Sequence, residues 1–544
     1  VSRASADAPA EGPMLYHLAA AEGGLFATET TLLVLFIVII LVALIARVVR
    51  LPYTTILVLT GLGLAAVQFL PRVALTPDLV LLLFLPPLAF EAAFHLNFDD
   101  LRADLPAISV LALLGVVITM AAAGAVLVVG LGWSLPVALL FGALIAATDP
   151  VSVVAVFREL GVARRLSTIV EGESLFNDGS GIVLFRIVLA IVIAGAFDPV
   201  AGVVEFVRLV AGGILLGGLL GYLACRLLTP VDDYLIEISM TVVLAWGTYL
   251  LAENEVVHVS GVIAVVVAGI VVGNYGGRVS FSPTTKIVLT HVLEFIAFVA
   301  NSFIFLLIGL QVDFTILTAN AAPMFWGIVA ALVARALAVY GLAIPLSRFA
   351  KPIPWRWRHL LFWGGLRGGL SLALALSLPE TLPLRQTLIV AVFGVVLFTL
   401  VVQGITIQPL LQFLQLGTSV QSQRDHEQTR GRLLGMRAAQ RRIKRLHEMG
   451  LVSPEAYEAL TSQYIAQENQ LQENLHALHR LHPDLTEREI TNARIEGLRA
   501  ERSALFDLNR HGALSDSVYR ELVADIDAQL ETLGDAHARP RMEG

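Results

Sequence analysis

The chain has 544 residues, 56% of them hydrophobic and 15% charged, with a mean hydropathy of +0.77 and a formal net charge of −7. Soluble globular chains carry about 25% charged residues, so a wholly soluble protein is excluded, and the thinly spread negative charge argues against a nucleic-acid partner. A single cysteine, Cys225, excludes an intrachain disulfide framework and a cysteine-based metal site.

The charge is unevenly placed. Residues 1–416 carry 44 charged side chains and the last 128 residues carry 37, of which 17 are Lys or Arg and 20 Asp or Glu. This composition predicts an extracytoplasmic amino-terminal segment (1–28), a transmembrane domain (29–416) and a cytoplasmic helical domain (417–544). No cleavable signal pattern is evident. Val1–Pro13 is polar and Ala-rich, and Met14 reads as a native start.

A membrane-crossing helix needs roughly 20 apolar residues. In chain order, thirteen segments satisfy that rule: 29–49, 54–70, 78–98, 105–130, 134–158, 169–196, 203–228, 234–252, 255–274, 283–312, 323–348, 357–379 and 385–414. The fold class expected is therefore an all-α membrane protein. One alternate set of connecting loops holds 13 Lys and Arg residues, and the other, with the amino-terminal tail, holds 4. The basic side faces the cytoplasm, which puts the amino terminus outside, the carboxyl terminus inside and the protein in the cell's inner membrane.

Two segments carry helix breakers near their midpoints. The fifth contains Thr148-Asp149-Pro150, and the twelfth contains Gly364-Gly365-Leu366-Arg367-Gly368-Gly369. Broken helices at membrane depth are tolerated where they line an ion site or pack inside protein. Their matching positions in segments 1–6 and 8–13 predict an inverted repeat with two crossing broken helices.

Ionisable groups in the membrane cost at least about 2.5–3.5 kcal/mol each and need a reason. They are Glu91, Asp149, Glu173, Asp178, Glu294, Arg335 and Arg367, with Asn301 a polar neighbour in the tenth segment. On a helix, Ser174 and Asp178 share a face, as do Glu173 and Asn177. A hydroxyl and a carboxylate facing the loosened carbonyl of Thr148 make a hard-oxygen site, suited to Na⁺, Li⁺ or protons. The bland reading is that these carboxylates pair with Arg335 and Arg367 to hold helices together. For Glu173 and Arg367 that structural pairing is the expected role, and for Asp178 ion binding is. Both readings stay open for Glu91, and Asp149 could instead cap the broken helix.

The strings Leu-Pro-Pro-Leu-Ala-Phe-Glu91, Ala-Ala-Thr148-Asp149-Pro150, Gly-Glu173-Ser174-Leu-Phe-Asn177-Asp178 and Gly-Gly-Leu-Arg367-Gly-Gly resemble the monovalent cation/proton antiporter family. They match its NhaP and sodium/proton exchanger branch. Asn301 stands where the animal exchangers carry an acid, which makes the bacterial type the nearer likeness. The resemblance covers roughly 29–414 and stops short of the tail. It implies a homodimer with a six-helix core, Na⁺ bound by Asp178 with Ser174 and the Thr148 carbonyl, Asp149 and Asn177 shaping the crossing, and Glu173 paired with Arg367. Glu91 corresponds to an acidic position that joins the site in some members.

Ionised, Asp178 would hold Na⁺; protonated, it could not, and such exclusion is what exchange requires. The family's electrogenic members have two adjacent aspartates where this chain has Asn177-Asp178, which implies electroneutral one-for-one exchange. The runner-up is K⁺/H⁺ antiport on the same scaffold. A channel is disfavoured because no pore-loop filter appears. An enzyme is disfavoured because there is no catalytic triad, His-rich metal motif or phosphate loop, and no cofactor is called for. His95, near Glu91, reads as packing or snorkelling.

The tail shows heptad-like Leu spacing and eight basic residues between Arg424 and Arg445. These read as a solvated helix face, with contact to the lipid bilayer as the other reading. Leu446, Gly450, Ser453, Tyr457 and Leu460 recur 62 residues later as Leu508, Gly512, Ser515, Tyr519 and Leu522, which predicts paired helical hairpins.

Overall fold

The computed structural model describes residues 31–46, 48, 51–67, 75–195, 198–229, 233–276, 283–312, 314–416, 418–481, 483–511 and 513–538. The expected extracytoplasmic segment, the repeat residue Gly512 and the loop arginines Arg3, Arg47, Arg50, Arg72 and Arg278 lie outside these residues. The chain divides into two compact units, Val1–Gly417 and Thr418–Gly544.

Among the described residues the first unit is built from helices alone. In chain order they are α1 (Thr31–Ala46), α2 (Tyr53–Val67), α3 (Leu79–His95), α4 (Phe98–Leu131), α5 (Leu135–Leu144), α6 (Val151–Leu160), α7 (Arg164–Ala194), α8 (Pro199–Leu228), α9 (Tyr234–Glu253) and α10 (Gly261–Gly276). There follow α11 (Pro283–Leu310), the short α12 (Phe314–Ala319), α13 (Ala321–Leu346), α14 (Trp355–Trp363), α15 (Gly369–Leu376) and α16 (Arg385–Phe413). Seven helices of this unit are long and apolar enough to cross a membrane, and five more are apolar but shorter. Leu215, Leu219, Leu227 and Val243 turn exposed apolar surface outward from α8 and α9, as lipid-facing positions do.

Boundaries shift where polar chemistry intervenes. α4 starts at Phe98, ahead of the expected 105, because the Asn97 side chain accepts the Asp99 and Asp100 N–H groups at 2.9 and 3.2 Å. That cap begins an amphipathic turn in front of the apolar run. α10 starts at Gly261 rather than 255, where Ser260 Oγ accepts the Ile263 N–H.

Four long helices contain a π turn: Leu79–Phe84 in α3, Val110–Leu114 in α4, Val272–Gly276 in α10 and Thr399–Gln403 in α16. Each widens the turn by one residue. Helix α2 packs along α11, α3 and α8 along α10, and α4 and α16 along α13. Phe90, Phe141, Phe157 and Phe305 fill the centre and are buried. Helices α5 and α6 flank the break at 145–150, and α14 and α15 flank the break at 364–368.

The second unit contains α17 (Thr418–Glu448), α18 (Pro454–Leu481), α19 (Pro483–Arg510) and α20 (Asp516–Ala538). α17 pairs with α18 and α19 with α20. The 62-residue repeat reaches the turn chemistry. His447 Nδ1 lies 3.1 Å from Val452 O, and at the equivalent positions Asn509 Nδ2 donates to Leu514 O at 3.3 Å. Arg437 and Gln440 donate to Glu468 across the first hairpin and hold its carboxyl below the usual glutamate range.

Arg165 is the fastening of the first unit. Its Nε and Nη2 lie 2.8 Å from Asp104 Oδ1, its Nη2 donates to Lys351 O at 3.0 Å, and its guanidinium lies over the Trp357 ring. Asp104 is 6% exposed. Arg165→Ala should therefore cost about 3–5 kcal/mol by leaving a buried carboxylate unpaired. The check is thermal melting of the detergent-purified variant, with Arg165→Ala/Asp104→Leu recovering part of the loss.

Candidate functional site

The two breaks meet. The Asp149 N–H donates to Leu366 O at 2.8 Å, joining one unwound stretch to the other. A helix that stops inside a membrane leaves its last carbonyls unpaired and a partial negative charge at that end. Arg367 answers this for α5: its Nη1 donates to Ile145 O, to Ala146 O at 2.7 Å and to Ala147 O at 3.0 Å. Arg335, from α13, answers it for α14, with Nε and Nη2 donating to Leu361 O at 3.0 and 2.9 Å. At the opposite polarity, Asp149 Oδ1 accepts the Val151 N–H at 3.0 Å and caps the start of α6.

The glycines of the second break make room for these groups. A Cβ on Gly365 would lie 2.6 Å from Arg335 Nε, and one on Gly368 would lie 2.7 Å from Asp149 Cβ. Such approaches admit no side chain.

Glu173 takes Arg335 as its partner. Arg335 Nη1 and Nη2 donate to Glu173 Oε1 and Oε2 at 2.5 and 2.9 Å, with Arg335 8% and Glu173 2% exposed. The expected Glu173–Arg367 pair is corrected accordingly: Arg367 is spent on the α5 carbonyls, and the bidentate geometry goes to Arg335. Sequence spacing singled out both arginines but could not say which reaches Glu173, because Arg335 arrives from a third, unbroken helix.

Thr148, Ser174 and Asn177 form one network. The Thr148 N–H donates to Asn177 Oδ1 at 3.1 Å, Asn177 Nδ2 donates to Thr148 Oγ1 at 2.7 Å, and Ser174 Oγ donates to Thr148 O. Asn177 Nδ2 also lies 3.4 Å from Glu173 Oε1. Asn177 is thus a fixed bridge between the break and the ion pair.

Asp178 is left outside this network and has no hydrogen-bonded or ionic partner among the described residues. Asp178 lines a cavity of about 380 Å³ together with Thr148, Asp149, Ser174 and Gly368–Ser371. Glu91 lines the same cavity, with His95 Nδ1 2.9 Å from its carbonyl oxygen and 3.2 Å from Oε1. Glu171, Glu294, Arg158 and Asn301 also line it. Glu171, two residues before Glu173 in the same motif, is a cavity acid that the sequence pattern does not single out.

Interrupted helices crossing beside an unpaired carboxylate in a cavity define the secondary-transporter class of fold. The profile described as sodium/hydrogen exchanger, transmembrane, matches residues 32–413. The Na⁺/H⁺ antiporter ApNhaP of Aphanothece halophytica is 40% identical over 478 residues, 86% of this chain and 90% of that protein. The Na⁺/H⁺ antiporter NhaS2 of Synechocystis sp. is 37% identical over 513 residues, 93% of each. The solved structure of the sodium proton antiporter MjNhaP1 from Methanocaldococcus jannaschii matches with a TM-score of 0.60 at 21% identity, covering 72% of this chain and 99% of that one. That likeness bears on the fold. This chain belongs to the sodium/hydrogen exchanger family. The family model ends at residue 413, close to the expected 414, while the alignments to these two relatives, over 86% and 93% of the chain, run past residue 417 into the tail.

Glu173→Leu or Arg335→Leu alone should destabilise by about 3–5 kcal/mol, and the double change should recover much of the loss. Arg367→Leu should destabilise to a similar extent with no rescue from Glu173→Leu. Melting curves of the five purified variants test this assignment of partners.

Proposed function

We propose that this protein exchanges Na⁺, or Li⁺, for H⁺ across the membrane, with Asp178 holding the cation and the proton in turn. The observation that carries the reading is that Asp178, among the described residues, lies on the cavity beside the crossing without a hydrogen-bonded or ionic partner. Glu171, the other cavity acid without such a bond, stands about two helical turns away near Arg158. Glu173 is neutralised by Arg335 and Asp149 is engaged as a helix cap. A carboxylate with no fixed counter-charge is free to take a mobile one. Ser174 and the Thr148 carbonyl, now bonded to each other, lie where they could turn to the ion. Relatives named Na⁺/H⁺ antiporters support Na⁺ over the K⁺ alternative.

On this reading the protein works by alternating access as a homodimer in the inner membrane, with its amino terminus outside and its second unit in the cytoplasm. The two halves act as inverted repeats about the crossing. These readings rest on the loop charges, the placing of the breaks and the family resemblance. Glu91 is a subsidiary acid of the same cavity.

Asp178→Asn should abolish Na⁺/H⁺ exchange while leaving a folded protein. Retained exchange in proteoliposomes, read by dissipation of a pH gradient, would sink the assignment.

The stoichiometry follows from Asn177, an amide bonded into the structure that does not titrate and so carries no exchangeable proton through the cycle. With one titrating carboxylate per cycle, one Na⁺ returns one H⁺ and no net charge crosses. An exchanger moving one net charge would gain about 2.3 kcal/mol per 100 mV, a bias of nearly fiftyfold. Proteoliposomes clamped with valinomycin and a K⁺ gradient should reach the same Na⁺/H⁺ end point at every voltage, once K⁺ itself is shown not to be carried.

A further inference from the structure

The lining of the cavity beside Asp178 draws on both interrupted helices, with different chemistry from each. One part, from the α5–α6 break and α7, carries Thr148, Asp149, Ser174 and Asp178. The other includes the first turn of α15, where the backbone approaches through glycine and the first side-chain oxygen is that of Ser371. Ser371 is fully buried, and its hydroxyl has no hydrogen-bond partner among the described residues.

Among the described residues one other buried hydroxyl, that of Thr248 on α9, is likewise unpaired. Several hydroxyls in the apolar helices instead turn back onto a carbonyl of the preceding turn: Ser302 onto Phe298, Thr241 onto Glu237, Thr406 onto Val402 and, on α15 itself, Ser377 onto Leu374. Ser371 makes no such bond. A buried hydroxyl left unpaired is unfavourable in every state in which nothing meets it. It stands one turn beyond Gly368, whose backbone lies against Asp149, so it belongs to the end of α15 that abuts the crossing.

We propose that Ser371 is a cation-ligating residue that sets selectivity. Its hydroxyl oxygen meets the transported monovalent cation, or the last water that cation retains, from the α15 part of the cavity lining that Asp178 shares. The proposal rests on the exchange reading of Asp178. Small alkali cations take hard neutral oxygens alongside a carboxylate, and a ligand here makes the site span both interrupted helices.

The test uses the full chain in proteoliposomes, titrated with NaCl and separately with LiCl at fixed pH, as wild type, Ser371→Ala and Ser371→Thr. Ser371→Ala should raise the apparent KM for Na⁺ about tenfold, shift the Na⁺/Li⁺ preference at least about threefold and leave the maximal rate within about twofold. Ser371→Thr, which keeps the hydroxyl, should restore most of the affinity. In detergent without Na⁺ or Li⁺, Ser371→Ala should melt no lower than wild type, since it removes an unpaired group, while the rise in melting temperature on adding NaCl should shrink.

An alanine variant with unchanged KM for both ions overturns the proposal. So does one that melts lower in ion-free buffer with its NaCl-induced rise intact, which would mark Ser371 as a packing residue. If the wild type exchanges Na⁺ and Asp178→Asn abolishes it while Ser371→Ala is silent, this inference alone fails. If the wild type exchanges neither ion, the Asp178 reading fails and this one with it.

Discussion

Everything around the crossing depends on one arginine meeting three carbonyls. A broken helix in a membrane exposes backbone oxygens that water cannot reach, and Arg367 gathers those of Ile145, Ala146 and Ala147 at the end of α5. Without that cation the break would carry an uncompensated dipole and unpaired acceptors in a low-dielectric setting. With it, Thr148 and Asp149 can leave the helical path, one to bond with Ser174 and Asn177 and the other to cap α6. Arg335 performs the same service for α14 and, in doing so, removes Glu173 from the pool of free acids. The charges near the crossing are thus mostly consumed by holding it open, and Asp178 stands out because it is not.

Much of this was legible in the residues. Length and hydropathy marked the helices, and Pro150 and the glycines around Arg367 marked both breaks, because these residues act locally on the backbone. The hydroxyl and amide positions Ser174 and Asn177 followed from helical spacing. The partner of Glu173 did not, since Arg335 lies 162 residues away and reaches the pair through tertiary packing. Nor did the cavity, which depends on how α3, α6, α7, α11 and α15 come together. The early start of α4 was hidden by charge: a span is sought by apolar content, whereas Asn97 starts the helix by hydrogen bonding before the apolar residues begin.

The tail teaches the complementary lesson. Its repeat was visible as a short string of matching residues, and the structure adds a substitution that preserves function without identity. His447 and Asn509 differ in chemistry yet both address the carbonyl five residues on. The turn constrains what the side chain must do and leaves open which residue does it.

The π turns carry a consequence for how the helices present their faces. In a regular helix each residue advances by about 100°, so one residue added to a turn re-aims everything beyond it by about that much. In α16 the Thr399–Gln403 turn lets Thr399 offer its hydroxyl to the Arg367 N–H without obliging the following turns to keep that bearing. Helix α16 therefore behaves as two short rotors sharing an axis, each indexed to a different neighbour. Deleting a single residue there would hardly change its length, but it would turn the downstream rotor away from the surface it was cut to fit.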